Sequence, residues 1–328
     1  MKRIAVLAFL AVLVLAVAAA APLFGPEPIA LRSVLDDETA RMIFFQLRLP
    51  RVAAGLLAGA ALAVSGMVFQ AVFRNALATP FTLGVASGAS LGASLYIHLG
   101  ISFSLLGLDG SSWSAFAGAA ATIGLVYGLT RVRRGFSTAT MLLAGVALSF
   151  FFSSLILLIQ YVSNFTQSFV ILRWLMGGLD RSVGFHNVLT LLPFVFAGCT
   201  VIAAMTNELN LLTTGEDLAT SRGVSVDRTK IVLFLAVSLM VGAVVAVCGP
   251  IGFVGLMAPH ICRQLVGADH RWLAPATVLF GAAFLTACDT LSRTLFVPAE
   301  LPVGILTSLL GGPFFLWLLL TGTERSLS

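Results

Sequence analysis

Ionisable side chains are scarce within the long apolar stretches of this chain, and Asp289 is one of the few that lie inside one. A carboxylate is costly to bury in a membrane, so an aspartate there usually has a function or a partner. Arg293 follows four residues later, which would place both side chains on one face of a helix and predicts an ion pair. The alternative is a proton relay, in which Asp289 would take up and release a proton during ion-coupled transport.

The chain lacks the sequence patterns that would support catalysis or metal binding. It contains only two lysines, Lys2 and Lys230, and neither lies in the GxxxxGK[ST] pattern of a phosphate-binding loop. The pattern HExxH is absent, and the four histidines are scattered along the chain as His98, His186, His260 and His270. We therefore expect no ATPase site, no catalytic residues, no metal and no cofactor in this polypeptide. We interpret His260 as a packed side chain rather than a ligand.

Composition identifies lipid as the main solvent of this chain. Of the 328 residues, 59% are hydrophobic and only 10% are charged, whereas soluble domains have about 25% charged residues. We predict an all-α polytopic membrane protein in which residues 1–328 form one transmembrane domain. A bilayer-spanning helix needs about 20 apolar residues, and ten segments approach or reach that length: about 4–24, 52–73, 81–99, 113–130, 138–161, 187–206, 230–248, 251–267, 272–292 and 302–321.

The amino terminus bears on how the chain is oriented in the membrane. Lys2 and Arg3 precede an apolar run that ends near Ala21, as in a signal peptide. We favour an uncleaved first helix, because the run approaches spanning length and further apolar segments follow it. Ten spans then place both termini on the same side. With both termini in the cytoplasm, the larger share of the 19 Lys and Arg residues lies on the cytoplasmic side, as the positive-inside rule predicts.

Residues 207–229 form a polar stretch between two apolar segments, on the cytoplasmic side in this topology. Their pattern predicts a short amphipathic helix that lies flat on the membrane. Thr213 or Thr214 would cap it, Glu216 would begin its acidic first turn, and Gly223 would end it. Such a helix is a natural docking surface for a partner protein.

Glycines recur at four-residue spacing in two of the predicted helices. Gly55 and Gly59 do so in the second, and Gly84, Gly88 and Gly92 do so in the third. In lipid, stripes of small residues allow helix backbones to approach closely. We therefore predict that both stripes are helix-packing surfaces.

Several longer strings match one protein family when they are taken together. RLPR stands at 48–51, GAALAVSGMVFQAVFRNALATPFTLGVASGASLGA at 59–93, GPIGFVGLMAPHICRQLVGADHR at 249–271 and ELPVGILTSLLGGPFFLWLLL at 300–320. In this combination the chain resembles the FecCD family of binding-protein-dependent ABC permeases, which import iron-siderophores, haem and cobalamin. The resemblance covers essentially the whole chain. One departure is RNALATP, where Ala76 replaces the proline of the family's common RNPLA.

The resemblance implies a type II ABC importer permease fold with ten helices per subunit, and a homodimer that encloses a central pathway. It also implies two other partners, an ABC ATPase subunit at the cytoplasmic face and a periplasmic or lipoprotein substrate-binding protein at the outer face. The expected function is import of a metal chelate through the cell inner membrane, with ferric siderophore preferred over cobalamin or haem. An ion-coupled secondary transporter is the alternative class.

The resemblance also assigns residues to the outer face. Arg48 and Arg51 of the RLPR string, together with Arg293, match the family's outward arginines, which meet glutamates of the binding protein. Complementary charges of this kind orient docking and speed encounter. Alternatively, Arg48 and Arg51 only extend to the membrane interface at a helix end. Asp289 would then hold Arg293 in place.

On the cytoplasmic side, GEDLATSRG at 215–223 matches the family's coupling helix, which sits in a cleft of the ATPase. This match assigns ATPase contacts to Leu218, Ala219, Ser221, Arg222 and Gly223. GFSTAT at 135–140 matches the cytoplasmic gate, where the pathway would be closed by Ser137 and Thr138. The fifth and tenth helices would line the pathway, the fifth through Met141, Leu142, Ser149, Phe152, Ser153 and Ile156.

Overall fold

The computed structural model describes residues 1–27, 29–105, 107–132, 138–180 and 184–321, most of which are helical. The first helices are α1 (Lys2–Ala20), α2 (Leu31–Asp36), α3 (Glu38–Met42), α4 (Leu49–Phe73), α5 (Val85–Leu99), α6 (Gly110–Val132), α7 (Thr138–Val162) and α8 (Phe165–Leu175). They are followed by α9 (His186–Ala204), α10 (Thr206–Thr214), α11 (Glu216–Ser221), α12 (Val226–Cys248), α13 (Val254–Val266), α14 (His270–Ser292) and α15 (Val303–Thr321). Short elements complete the chain: the 3-10 turns Ala21–Leu23 and Pro80–Leu83, the π-helical turn Ile43–Arg48, and a hairpin of Ser104–Leu105 with Leu108–Asp109.

The all-α polytopic membrane fold expected from the sequence is confirmed, and a helix occupies each of the ten predicted segments. Within the described ranges, seven helical stretches are long and apolar enough to span a membrane. Two other predicted segments contain shorter helices. The helix α5 has 15 residues and α13 has 13, which correspond to about 20–23 Å of helix. The helices α5 and α13 begin a few residues after the starts of the predicted segments 81–99 and 251–267. Gly84 and Phe253 have φ values of 78° and 66°, and a left-handed backbone interrupts a helix.

The two ends of α14 define the two faces of the molecule. Beside its start, Asp269 lies 4.0 Å from Arg3 near the beginning of the chain. Just past its end, Arg293 donates to the carbonyl oxygen of Ala21, which follows α1. We call these the N-terminal face and the opposite face. A helix of 23 residues is about 34 Å long, so the faces are about one bilayer apart.

The helix α4 forms the buried centre of the fold, and glycines let its neighbours approach closely. A Cβ atom at Gly59 would overlap the carbonyl oxygen of Gly281 in α14, and one at Gly66 would overlap the carbonyl oxygen of Gly255 in α13. Backbone therefore lies against backbone at both crossings, which packs well in lipid. The packing role predicted for the first glycine stripe is observed at Gly59.

The second predicted glycine stripe packs α5 against α6. A Cβ atom at Gly88 would overlap the hydroxyl of Thr122, and one at Gly92 would overlap the carbonyl oxygen of Ser114. Gly84 has a different role, because it lies at the left-handed turn before α5 and outside the helix. The prediction is thus confirmed for Gly88 and Gly92 and wrong for Gly84.

We expect the substitution Gly88→Val to lower the free energy of unfolding by about 1–3 kcal/mol, the usual cost of overpacking a tight interface. The Thr122 hydroxyl cannot move away freely, since it donates to the Gly118 carbonyl oxygen at 2.8 Å. Thermal unfolding of the purified chain in detergent measures the effect. Gly124→Val is the matched control, because a Cβ atom at Gly124 meets nothing within 4 Å. Equal shifts of the melting temperature for both variants would contradict this prediction.

Large apolar side chains cover the outside of several spans. Phe9 on α1, Phe150 on α7 and Leu316 on α15 are each more than half exposed. A surface of this kind is stable only against lipid or a partner subunit. The outer sides of these spans are thus suited to contact lipid or a partner subunit.

Candidate functional site

A cluster of arginines and carboxylates lies on the opposite face, where α4 begins and α14 ends. Nε of Arg51 donates to Oδ1 and Oδ2 of Asp289 at 3.1 and 3.0 Å, and Nη2 donates to Oδ1 at 3.0 Å. Nη1 of the same guanidinium donates to Oε2 of Glu300 at 2.7 Å. The Asp289 side chain is only 2% exposed. This forked pairing therefore neutralises a charge that would otherwise be costly to bury.

Two further arginines of the cluster are held by backbone carbonyl groups that follow α1. Nη2 of Arg293 donates to the carbonyl oxygen of Ala21 at 2.9 Å. The guanidinium of Arg48 donates to three carbonyl oxygens, those of Pro22, Leu23 and Glu27. Gly25 leaves room for this arrangement, because a Cβ atom there would lie 2.7 Å from Nη2 of Arg48. The backbone carbonyl groups of the segment after α1 thus bind two arginine side chains.

These contacts bear on two predictions about the cluster. The predicted ion pair of Asp289 with Arg293 is present, with Nε of Arg293 3.7 Å from the carboxylate, and Arg51 is a second and closer partner of Asp289. The outward orientation expected for Arg48 and Arg293 is wrong, since these residues are 7% and 2% exposed. The carbonyl groups after α1 offset the cost of burying both guanidinium groups. Arg51 alone borders the surface, with its side chain 12% exposed beside Glu300.

A second ion pair extends the cluster toward the surface. Nη2 of Arg173, in the last turn of α8, donates to Asp180 at 2.9 Å, and these side chains are 60% and 28% exposed. Both residues line a small pocket together with Arg51 and Glu300. We call these four residues the charged rim. The rim presents the accessible ion-pair charges on this part of the opposite face.

The predicted coupling helix at 215–223 corresponds to one helix, α11, on the N-terminal face, and α10 precedes it. Gly215, with φ of 125°, separates α10 from α11 and occupies the N-cap position of α11. The predicted threonine cap is therefore wrong. The hydroxyls of Thr213 and Thr214 donate instead to carbonyl oxygens of their own helix, at 2.8 and 2.7 Å. The predicted end is confirmed, because Arg222 is the C-cap and Gly223 has φ of 86°.

Most of the residues assigned to ATPase contact are exposed. Leu218 is 45% exposed although its side chain is apolar, and the exposed set continues with Ser221, Arg222 and Gly223. Ala219 is 0% exposed and packs in the hydrophobic core. The expectation that Ala219 contacts a partner is therefore wrong, since the inward face of a surface helix recurs every three or four residues and Ala219 lies on that face.

The helix α10 is fastened to the start of α14 by Asn210. The amide nitrogen donates to Oδ1 of Asp269 at 2.8 Å, and the amide oxygen accepts from the backbone N–H of His270 at 2.8 Å. Nδ1 of His270 lies 2.7 Å from the same amide oxygen. The Asn210 hydrogen bond, supported by the backbone N–H of Arg271, lowers the pKa of the Asp269 carboxyl. Asp269 is thus stabilised as an anion at the N-cap of α14.

Two cavities lie beside α4 and α5, between the faces. The first, which we call the α4 cavity, has a volume of 220 Å³ and is lined by Leu62, Thr79, Pro80, Phe81, Gly252, Phe253, Gly255 and Leu256. The second, the α5 cavity, has a volume of 310 Å³ and includes among its lining residues Ser87, Ser90, Ser153, Ile156, Gln160 and Pro250. Phe81 borders both. Both are lined mainly by apolar side chains, with a few polar ones.

Only some of the residues predicted to line the pathway lie at these cavities. Ser153 and Ile156 of α7 line the α5 cavity. Met141 is fully buried in the core of this chain, so its expected place in the pathway is corrected. Of the two gate residues, Ser137 lies outside the described residues. Thr138 is the first residue of α7 and is partly buried.

The histidines His98 and His260 make hydrogen bonds and packing contacts between elements of the fold. Nδ1 of His98 lies 2.7 Å from Oγ of Ser163, and Gln167 donates to the His98 carbonyl oxygen at 2.9 Å, which ties α5 to the turn before α8. His260 contacts Gln264 at 3.1 Å and packs its ring edge-on to Phe314. Over the described ranges, no group of three or more His, Cys, Asp or Glu side chains is placed to hold a metal ion.

Comparison with known proteins matches the chain over nearly its full length. The model of the FecCD transport family matches residues 6–321. The hemin transport system permease of Yersinia pestis is 39% identical over 323 residues, 97% of this chain and 96% of that protein. The cobalamin import system permease of Halobacterium salinarum is 41% identical over 300 residues, 88% of this chain and 76% of that protein. A solved structure, described as an inward-facing metal-chelate type ABC transporter, matches with a TM-score of 0.87 and 33% identity, over 96% of this chain and 98% of that one.

Proposed function

The chain belongs to the FecCD transport family, and from this premise we propose that it is the membrane-spanning permease subunit of a binding-protein-dependent ABC importer for an iron chelate. The observation that carries the proposal is the full-length similarity to the hemin permease of Yersinia pestis. The all-α membrane-spanning fold, with mainly apolar cavities between its two faces, is compatible with this task. We place the chain in the inner membrane with both termini in the cytoplasm, so that the N-terminal face is the cytoplasmic face.

We propose that an ABC ATPase subunit binds the N-terminal face at α11. The chain has no phosphate-binding loop of its own, so ATP hydrolysis must come from a partner. The exposed residues Leu218, Ser221, Arg222 and Gly223 would form the contact, with Leu218 as its apolar centre. Burial of the Leu218 side chain against a partner would remove apolar surface from water, which favours association.

On the opposite face, we propose that a substrate-binding protein docks at the charged rim. Arg51 would be the central arginine, because it lies at the surface beside Glu300. Arg48 and Arg293 would act from beneath by fixing the segment after α1 through their carbonyl contacts. Charges of both signs on the rim would orient the partner and speed encounter more than they would add affinity.

We propose further that two copies of the chain form a homodimer around the pathway. The exposed apolar residues of α7, such as Phe150 and Leu157, would face the second copy or the lipid. The α5 cavity would open onto the pathway through Ser153 of α7. Thr138, with Ser137, would close the pathway at the cytoplasmic end.

For the cargo, we propose a ferric siderophore, as expected from the sequence, with hemin as the second candidate. The hemin candidate is favoured by the relative that matches almost the whole chain. Both cargoes are large iron chelates. A pathway lined mostly by apolar side chains with few polar groups would bind neither of them tightly. Selectivity would then reside in the binding protein.

We expect ATP-dependent uptake when the chain is reconstituted in liposomes with its ATPase and binding protein. Uptake of a radiolabelled ferric siderophore is measured in competition with hemin and with cobalamin. An ATPase subunit that cannot hydrolyse ATP serves as the control and should give no accumulation. Uptake that persists without the ATPase, or that an uncoupler abolishes, would instead support an ion-coupled secondary transporter.

A further inference from the structure

We propose that Asn210 couples the two faces of this permease, by fastening the ATPase-binding segment to α14 and so to the arginine cluster about 28 Å away. This makes Asn210 a positioning residue for transport. The inference rests on the proposed function, because it assumes that an ATPase binds α11 and that a binding protein docks at the charged rim. It adds a specific link between these two sites.

The hydrogen bonds of Asn210 require an amide in one orientation. Its nitrogen faces Oδ1 of Asp269, an acceptor, at 2.8 Å. Its oxygen faces the backbone N–H of His270 at 2.8 Å and Nδ1 of the same residue at 2.7 Å. An amide oxygen can only accept, so Nδ1 of His270 must carry a proton. A side chain with only donors or only acceptors could not satisfy all three partners.

The link is reinforced by neighbouring contacts, so α10 and the start of α14 would move together. Nε of Arg271 donates to Oδ1 of Asn207 at 2.8 Å. Asp269 caps α14 by accepting from the Arg271 N–H at 3.1 Å. Gly215 alone separates α10 from α11. A displacement of α11 by the ATPase would therefore reach α14 through α10.

The far end of α14 carries the centre of the arginine cluster. Asp289 holds Arg51 of α4 by three hydrogen bonds. Between the two ends, α14 lies backbone to backbone against α4 at Gly281 and Gly59. Closely packed helices transmit displacements as rigid elements. The pair of α14 and α4 therefore joins the Asn210 link to the docking surface.

The test asks whether ATP changes the affinity of the assembled transporter for the binding protein. The affinity of the binding protein is measured with and without ATP, using labelled binding protein without cargo and an ATPase subunit that cannot hydrolyse ATP. Coupling between sites is typically about 5–150-fold in affinity. We expect Asn210→Asp to bring this ratio close to one, because two carboxylates would then face each other across the link. Association of the ATPase should remain unchanged.

The rescue variant is the exchanged pair Asn210→Asp with Asp269→Asn. In this pair the amide at 269 would donate to the carboxylate at 210, whose oxygens would still accept from the backbone N–H and Nδ1 of His270, and asparagine also caps a helix well. We expect the exchanged pair to recover most of the ATP-dependent ratio. Thr213→Val is the matched control on α10, because the Thr213 hydroxyl bonds only within its own helix, and it should behave as the wild type.

Several results would overturn the inference. One is an Asn210→Asp variant that keeps the full ratio, and another is a folded exchanged pair that does not recover it. If Asn210→Asp does not fold, Asn210→Ala is measured in its place, and an unchanged ratio in that variant has the same consequence. A wild-type assembly without ATP-dependent uptake would instead overturn the proposed function, and this inference with it.

Discussion

Replacing Asp289 with leucine is expected to cost the folded chain about 3–5 kcal/mol, the usual penalty for leaving a buried charge without its partner. The substitution would remove three hydrogen bonds from the Arg51 guanidinium and leave it with the partly exposed Glu300 as its partner. It would also remove the nearest anion from Arg293, which is 2% exposed. The midpoint of thermal unfolding in detergent measures the loss, together with the yield of monodisperse protein.

The double variant Arg51→Leu with Asp289→Leu should be more stable than the single Asp289→Leu variant, because no unpaired charge of this pair remains. Glu300→Gln is the matched control on the same arginine. Its side chain is 32% exposed, so its loss should cost about 0–1 kcal/mol. A double variant as unstable as Asp289→Leu would show that the ion pair is not the source of the effect.

The Asp289 carboxylate also offers a test that distinguishes an ABC importer from an ion-coupled transporter. A proton relay would need Asp289 to exchange protons during transport, whereas its carboxylate makes three hydrogen bonds with Arg51 in a buried pair. The variant Asp289→Asn keeps the shape of the side chain and cannot carry a proton. Normal ATP-dependent uptake by a folded Asp289→Asn variant would exclude the relay.

Aspartate in place of Leu218 is expected to weaken association with the ATPase by about 2 kcal/mol or more, roughly thirtyfold in Kd. Leu218 is 45% exposed, so the chain should fold normally while the apolar anchor becomes a charge. Association is measured with purified ATPase subunit on the reconstituted permease, and uptake should fall in parallel.

Thr213→Asp is the matched control, because Thr213 is also exposed on this face but lies on α10, outside the proposed contact. It should bind the ATPase as the wild type does. Ala219→Asp should behave differently from both, since Ala219 is fully buried and a carboxylate there would destabilise the fold. Unchanged association in the Leu218→Asp variant would contradict the assignment of α11 as the ATPase contact.

The helices could be predicted because hydropathy is a local property of the sequence. All ten predicted segments contain a helix, and Gly223 was correctly expected to end the segment that became α11. The errors arose where tertiary structure decides. Thr213 and Thr214 have the side chains of good caps, but α10 continues through both and Gly215 makes the turn.

The ion pairs of the cluster could not be read from spacing alone. Arg293 is the local partner of Asp289 at i+4, but Arg51 comes from a distant helix and offers better geometry. The burial of Arg48 depends on carbonyl groups after α1 that no sequence pattern marks. Asn210 and Glu300 were missed for the same reason, because their roles exist only once α10 meets α14 and the loop before α15 meets α4.

The positions at which α5 and α13 begin affect the electrostatic potential in the two cavities. The first residues of α13 border the α4 cavity, and Ser87 in the first turn of α5 borders the α5 cavity. The amino end of a helix carries about half an elementary positive charge. Among the residues that the structure describes, no lysine or arginine lines either cavity, so a mild positive potential in the cavities would come from the backbone. An anionic chelate would be drawn inward by such a potential without meeting a fixed counter-ion strong enough to trap it.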